Sequence, residues 1–83
     1  MKILYFAWLK QKVGTAEEEV NPPPEVTDVA GLLDWLARRS PRHQDALARR
    51  SVVRVAVNQS YAKPEHPVRP GDEIALFPPV TGG

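Results

Sequence analysis

Apolar and polar positions fall in short blocks along these 83 residues, and prolines and glycines separate the blocks. Lys2 to Trp8 (KILYFAW) is aromatic and β-branched with no breaker, which predicts a strand. It is apolar on both faces, as suits a central strand. Leu9 to Val13 carries Lys10 and Lys12 and runs into Gly14, predicting a short helical turn closed by glycine. Ala16 to Asn21 (AEEEVN) predicts a more polar strand antiparallel to the first, ended by Pro22-Pro23-Pro24.

A helix is predicted next over roughly 28–39, capped by Thr27 or Asp28. Val29, Leu32, Leu33 and Leu36 recur at i, i+3, i+4 and i+7, one apolar stripe facing a core. Arg38 and Arg39 close it, where cations suit the helix dipole. Ser40-Pro41 reads as a fresh N-cap with proline at the first helical position, opening a second short helix to about Arg50. Val52 to Asn58 (VVRVAVN) predicts a strand, Asn58-Gln59-Ser60 a turn, and Tyr61-Ala62 a stub of edge strand. An irregular crossing from Pro64 to Pro70 leads through Pro70-Gly71-Asp72 into a last strand, Glu73 to Phe77 (EIALF). A hairpin, a helix crossing the sheet and a final strand beside the first define an α+β β-grasp. This is the ubiquitin-like arrangement, a mixed sheet covered on one face by helices.

Composition narrows the function classes. Eighty-three residues hold one core, with 42% hydrophobic and 25% charged residues, as in an ordinary globular domain. Eleven Lys+Arg against ten Asp+Glu give a net charge of +1. No overall field therefore draws nucleic acid or an anionic membrane. There are no cysteines, which excludes disulfides, zinc–thiolate sites and a cysteine nucleophile. A domain this small without such staples points to a reducing, cytoplasmic location. No apolar run reaches a membrane span, and the N-terminus does not read as a signal peptide.

Catalytic constellations are missing from the sequence. His43 and His66 read as solvated surface residues without a metal-ligand partner, and no metal site is expected. Asp72-Glu73 comes after Pro-Gly at a turn and reads as turn hydrogen bonding. Ser40, Ser51 and Ser60 show no base partner. Glu17-Glu18-Glu19 and the arginines 38, 39, 42, 49, 50 and 54 read as solvated faces, with partner steering as the sharper alternative. Strand alternation puts Ile74 and Leu76 inward and Ala75 and Phe77 outward, with Val53, Val55 and Val57 inward. Phe6 and Tyr61 beside Phe77 would give the open sheet face an apolar patch that fits a protein partner. The alternative for Phe6 is a core position.

The sequence's sharpest feature is Phe77-Pro78-Pro79-Val80-Thr81-Gly82-Gly83. The strand has to stop at the prolines, which also stiffen the chain beyond Phe77. Six residues past Phe77 reach up to about 20 Å when extended. Gly82 and Gly83 carry no side chains and can enter a channel too narrow for other residues. Residues 1–77 are thus expected to form the domain and residues 78–83 a flexible arm.

With KILYFAWLKQKVG at the start, VAVNQ at 55–59, His66-Pro67, and PGDEIALFPPVTGG from Pro70, the chain resembles the small subunits of molybdopterin synthase, the MoaD family. The thiamin-pathway carrier ThiS shares the fold and the Gly-Gly but is usually shorter and lacks the Phe-Pro-Pro arm. The resemblance implies a sulfur carrier of molybdenum cofactor biosynthesis. Gly83 would be adenylated by a ubiquitin-activating-type (MoeB-like) enzyme using ATP, giving a transient acyl-AMP with no permanently bound cofactor. A sulfur donor such as a cysteine desulfurase or rhodanese would then supply a thiocarboxylate. Residues Pro78 to Gly83 would insert into the large (MoaE-like) subunit of a heterotetramer, delivering sulfur to precursor Z, while Phe6, Tyr61 and Phe77 contact the partners. The small subunit would be no enzyme by itself, the catalytic pocket lying on the large one. Alternatives are a carrier for thiamin or tRNA thiolation, a ubiquitin-like protein modifier, and a β-grasp binding module without tail chemistry.

Overall fold

The computed structural model describes residues 1–79; Val80 to Gly83, the greater part of the expected arm with both terminal glycines, lie outside the described residues. In order, the elements are β1 (Lys2–Tyr5), α1 (Trp8–Val13), β2 (Glu17–Glu19), α2 (Val29–Ala37), α3 (Pro41–Ala46), a 3-10 turn at Arg50–Val52, β3 (Arg54–Val57), β4 (Ser60–Tyr61) and β5 (Glu73–Phe77). The strands form one mixed sheet in the order β2-β1-β5-β3-β4. β5 runs parallel to β1 and antiparallel to β3. The expected β-grasp is therefore present, with the last strand inserted beside the first.

Several boundaries differ from the sequence reading. β1 stops at Tyr5 rather than Trp8, because Ala7 turns the chain at φ 55° and ψ −132° and Trp8 opens α1. α2 ends at Ala37, with Arg38 as its cap. α3 ends at Ala46 rather than near Arg50, where Ala46 and Leu47 sink into the core. The 3-10 turn then feeds β3, which begins two residues later than expected.

The caps are as expected. The Asp28 carboxylate accepts from Gly31 N at 2.8 Å, and Ser40 Oγ accepts from His43 N at 3.2 Å with Pro41 in the first turn. The stripe Val29, Leu32, Leu33 and Leu36 is buried. Ile3, Tyr5, Leu9, Leu47, Ile74 and Leu76 join it among the most fully buried side chains of the core. Burying a large aliphatic side chain of this kind stabilises by about 1.5–3 kcal/mol.

The 62–72 crossing is strapped to the start of α2. Val29 N donates to His66 O and Ala30 N to Pro64 O, satisfying two amides that a helix start leaves without intrahelical partners. At the far end of this crossing, Asn58 bridges Asp72 Oδ1 (3.0 Å) and Glu73 N (3.0 Å). The Asn58 amide, joined by the Arg69 N–H and the charges of Arg69 and His66, outweighs the opposing effect of burial and holds the Asp72 carboxyl below its usual range. Asp72 thus serves the turn, as the Pro-Gly context implies.

Candidate functional site

Alternation along β5 divides its side chains cleanly. Ile74 and Leu76 are fully buried, while Ala75 and Phe77 face the uncovered side. Register then assembles the open face. Leu4 pairs with Ala75, Ala75 with Ala56, and Ala56 with Tyr61, so these four share one face across four strands. Ala75 and Ala56 are small and make a shallow floor. Phe77 pairs with Arg54 on the next row, and its ring lies 5.7 Å from that of Tyr61. Phe6 continues the β1 register beyond the strand, its N–H donating to Leu76 O at 3.0 Å.

Phe6 is 49% exposed and Tyr61 80% exposed. This decides between the two readings of Phe6: it lies on the surface and not in the core. An apolar floor rimmed by aromatic rings is the kind of patch that marks a protein partner.

The arm starts at the edge of this face. Pro78 and Pro79 are half-buried beside Trp8 and Val52, where α1 and the segment after α3 leave a groove. Val80, Thr81, Gly82 and Gly83, on which the expected tail chemistry falls, lie outside the described residues.

Behind the sheet, one polar cluster departs from the sequence reading. His43 is not a solvated residue: its side chain is 11% exposed and its ring stands edge-on to Tyr5 at 6.1 Å. Its Nε2 lies 2.7 Å from Glu18 Oε2, which also accepts from the Tyr5 hydroxyl at 2.6 Å. Its Nδ1 lies 2.7 Å from Ser40 Oγ. An ionised Glu18 can only accept here, so His43 Nε2 carries the proton of that bond. Ser40 therefore has the nitrogen partner that the sequence did not reveal, although its oxygen is also engaged in capping α3.

Burial, reinforced by Glu18, pushes the Tyr5 hydroxyl's pKa far above its ordinary range. Burial alone would raise Glu18. The bonds from His43 and Tyr5, with the charges of His43 and Arg39, outweigh it and hold the carboxyl below its usual range. Glu18 is thus half-buried, unlike Glu17 and Glu19 in the acidic run. The cluster braces β1, β2 and α3 together. No local sequence signal could have found it, since Glu18 and His43 lie 25 residues apart.

Among the described residues no group of three or more His, Asp or Glu side chains could hold a metal ion. No helix there is long and apolar enough to cross a membrane.

Similarity to known proteins covers the whole chain. The sequence is 40% identical over 83 residues to the molybdopterin synthase sulfur carrier subunit of Escherichia coli, covering 100% of this chain and 99% of that protein. The fold is similar to that of a putative molybdopterin converting factor subunit 1 from Pyrococcus furiosus, with a TM-score of 0.78, 30% identity and 95% of each chain covered. It is similar also to SAMP1, small archaeal modifier protein 1, from Haloferax volcanii, with a TM-score of 0.76, 30% identity, and 100% and 98% coverage. Residues 3–83 match the ThiS family, and the chain belongs to that family of ubiquitin-like sulfur carriers, alongside the molybdopterin synthase small subunits.

Proposed function

We propose that this protein is the sulfur carrier subunit of a molybdopterin synthase, with its chemistry at the Gly83 carboxylate. The observation that carries the reading is the full-length similarity to a molybdopterin synthase sulfur carrier subunit at 40% identity. The geometry is compatible with it. The last strand delivers Pro78 and Pro79 to the rim of an apolar partner face, so a protein bound there also receives the residues beyond them.

A carboxylate is a poor electrophile, and conversion to an acyl-adenylate with loss of pyrophosphate from ATP makes it a good one. The persulfide of a donor protein then attacks the acyl carbon and displaces AMP. A thiol cleaves the resulting acyl disulfide, which releases the thiocarboxylate on Gly83 and leaves that thiol joined to the donor as a disulfide. The thiocarboxylate is anionic and nucleophilic at neutral pH, and it is delivered to precursor Z in the large subunit to build the dithiolene. With no cysteine in the chain, the main-chain terminus is the place for sulfur to ride. The body supplies recognition through Phe6, Tyr61 and Phe77, while Pro78 to Gly83 supply reach and a thin tip.

Intact mass reads the reaction directly. Incubation with the MoeB-like adenylating enzyme, ATP and a sulfur source should raise the mass by the difference between sulfur and oxygen. An unchanged mass with an enzyme active on another carrier sinks the reading. Removal of Gly83 should abolish the change and leave thermal unfolding as in the wild type, since the core cluster draws on residues up to Leu76.

The fold similarity to the archaeal modifier SAMP1 favours a second reading. In it Gly83 forms isopeptide bonds with lysines of other proteins. Peptide mapping of cell extracts for lysines that carry a branched remnant ending in Thr81-Gly82-Gly83, and that lose it when Gly83 is deleted, separates the two.

A further inference from the structure

The open sheet face is only one of two apolar surfaces at the base of the arm. On the other side, Trp8, Val52, Pro78 and Pro79 line a groove of about 560 Å³ between α1 and the end of α3, a size in the range of ligand pockets. Two chain segments feed both surfaces. Phe6 lies on the face and Trp8, two residues on, in the groove; Phe77 lies on the face and Pro78-Pro79 in the groove. A protein that encloses the arm therefore meets both sides of its base.

Charge gives the groove its sign. Lys12 and Asp45, both on its rim, bond to each other at 2.8 Å and neutralise one another. Arg49, also on the rim and exposed, makes no ion pair among the described residues. The groove is thus apolar at its centre and positive at its edge.

We propose that this groove is a second docking surface for the synthase large subunit, receiving a segment with an apolar tip and an acidic neighbour that pairs with Arg49. The inference rests on the carrier reading and adds a contact outside the open sheet face. The groove fixes the direction in which the arm leaves the domain, because the bound segment packs against the two prolines.

Calorimetric titration of the full chain into the purified large subunit tests it with two exposed substitutions. Arg49→Glu reverses the rim charge, and binding should weaken about tenfold or more at low salt, with the loss shrinking at high salt. Ala48→Trp fills the groove without changing charge, and binding should weaken at both salt concentrations. Thermal melts matching the wild type show that both variants fold. Affinities within about twofold of wild type for both variants overturn the groove proposal, while a wild-type complex that still forms leaves the carrier reading standing. A wild-type chain that does not bind removes both. Tighter binding by Arg49→Glu also overturns the proposal, since an acidic partner residue at this rim would be repelled by the added charge.

Discussion

Ala7 sits at φ 55° and ψ −132°, a region that glycine enters freely and other residues enter only under strain. The turn there ends β1, leaves Phe6 on the open face and starts α1 at Trp8. Ala7→Gly should release the strain and raise stability by about 1 kcal/mol, read as a higher urea midpoint at an unchanged m value. A lower midpoint would mean that the methyl group makes contacts worth more than the strain. Glu18 gives a prediction with a sign. Its folded-state pKa is lowered, so its contribution is full above the ordinary glutamate range and disappears as pH falls through that range to Glu18's own value. Glu18→Gln should therefore lower Tm at about pH 7 and flatten its fall between about pH 5 and 3. Parallel Tm curves for the two proteins would show that the carboxylate is not coupled to folding. These residues are the least legible in the sequence. Glu18 looks like its neighbours in a charge run, and only the pairing of Ile3 with Glu18 in the hairpin brings it under Tyr5 and towards His43. Alternation, in contrast, assigns Ile74, Leu76 and Phe77 to their faces, because a strand with one buried side has a period of two.

α1 has six residues, too few to persist as an isolated helix. It is held by Leu9 and Val13 in the core and by Gly14, whose φ of 97° closes the end. Arg42 of α3 clamps that end from outside, donating to Lys12 O at 3.0 Å and reaching Gln11 O at 3.4 Å. A methyl group on Gly14 would come within 3.0 Å of the Arg42 guanidinium. Arg42→Ala should cost about 1–2 kcal/mol, and amide exchange should accelerate first in α1. Exchange that accelerates evenly over the whole chain would show that the clamp is not local. Local spacing places Gly14 at this end but shows Arg42 only as part of a basic face, because a side chain capping another element leaves no mark there. The same limit explains the element boundaries. β5 is legible to the residue, between a Pro-Gly turn and two prolines. α3 is shorter than its sequence suggests, since its end is set by the burial of Ala46 and Leu47 and not by a breaker.

Across the whole molecule, the sheet separates a buried core side from an apolar open side. Beneath it lie Ile3, Ile74 and Leu76, clustered with the apolar stripe of α2; above it lie the exposed Phe6 and Tyr61 and the half-buried Phe77. The two sets lie on opposite faces of one sheet, so substitutions close together in space should have opposite consequences. Leu76→Ala opens a cavity in a fully buried position and should cost about 2–5 kcal/mol, a large share of the stability of a domain this size. The double variant Phe6→Ser with Tyr61→Ser removes two exposed rings whose loss leaves no cavity. Its urea midpoint should stay close to wild type, while its affinity for the large subunit falls by about tenfold or more, as expected when aromatic anchors leave an interface. Both outcomes come from one pair of measurements, denaturant unfolding and calorimetric titration, on each protein. Should the double variant unfold as readily as Leu76→Ala, the open face is holding the sheet together. Should it bind as tightly as wild type while remaining folded, recognition depends on the arm and the groove beside it, and the aromatic rim of the open face is surface without a partner.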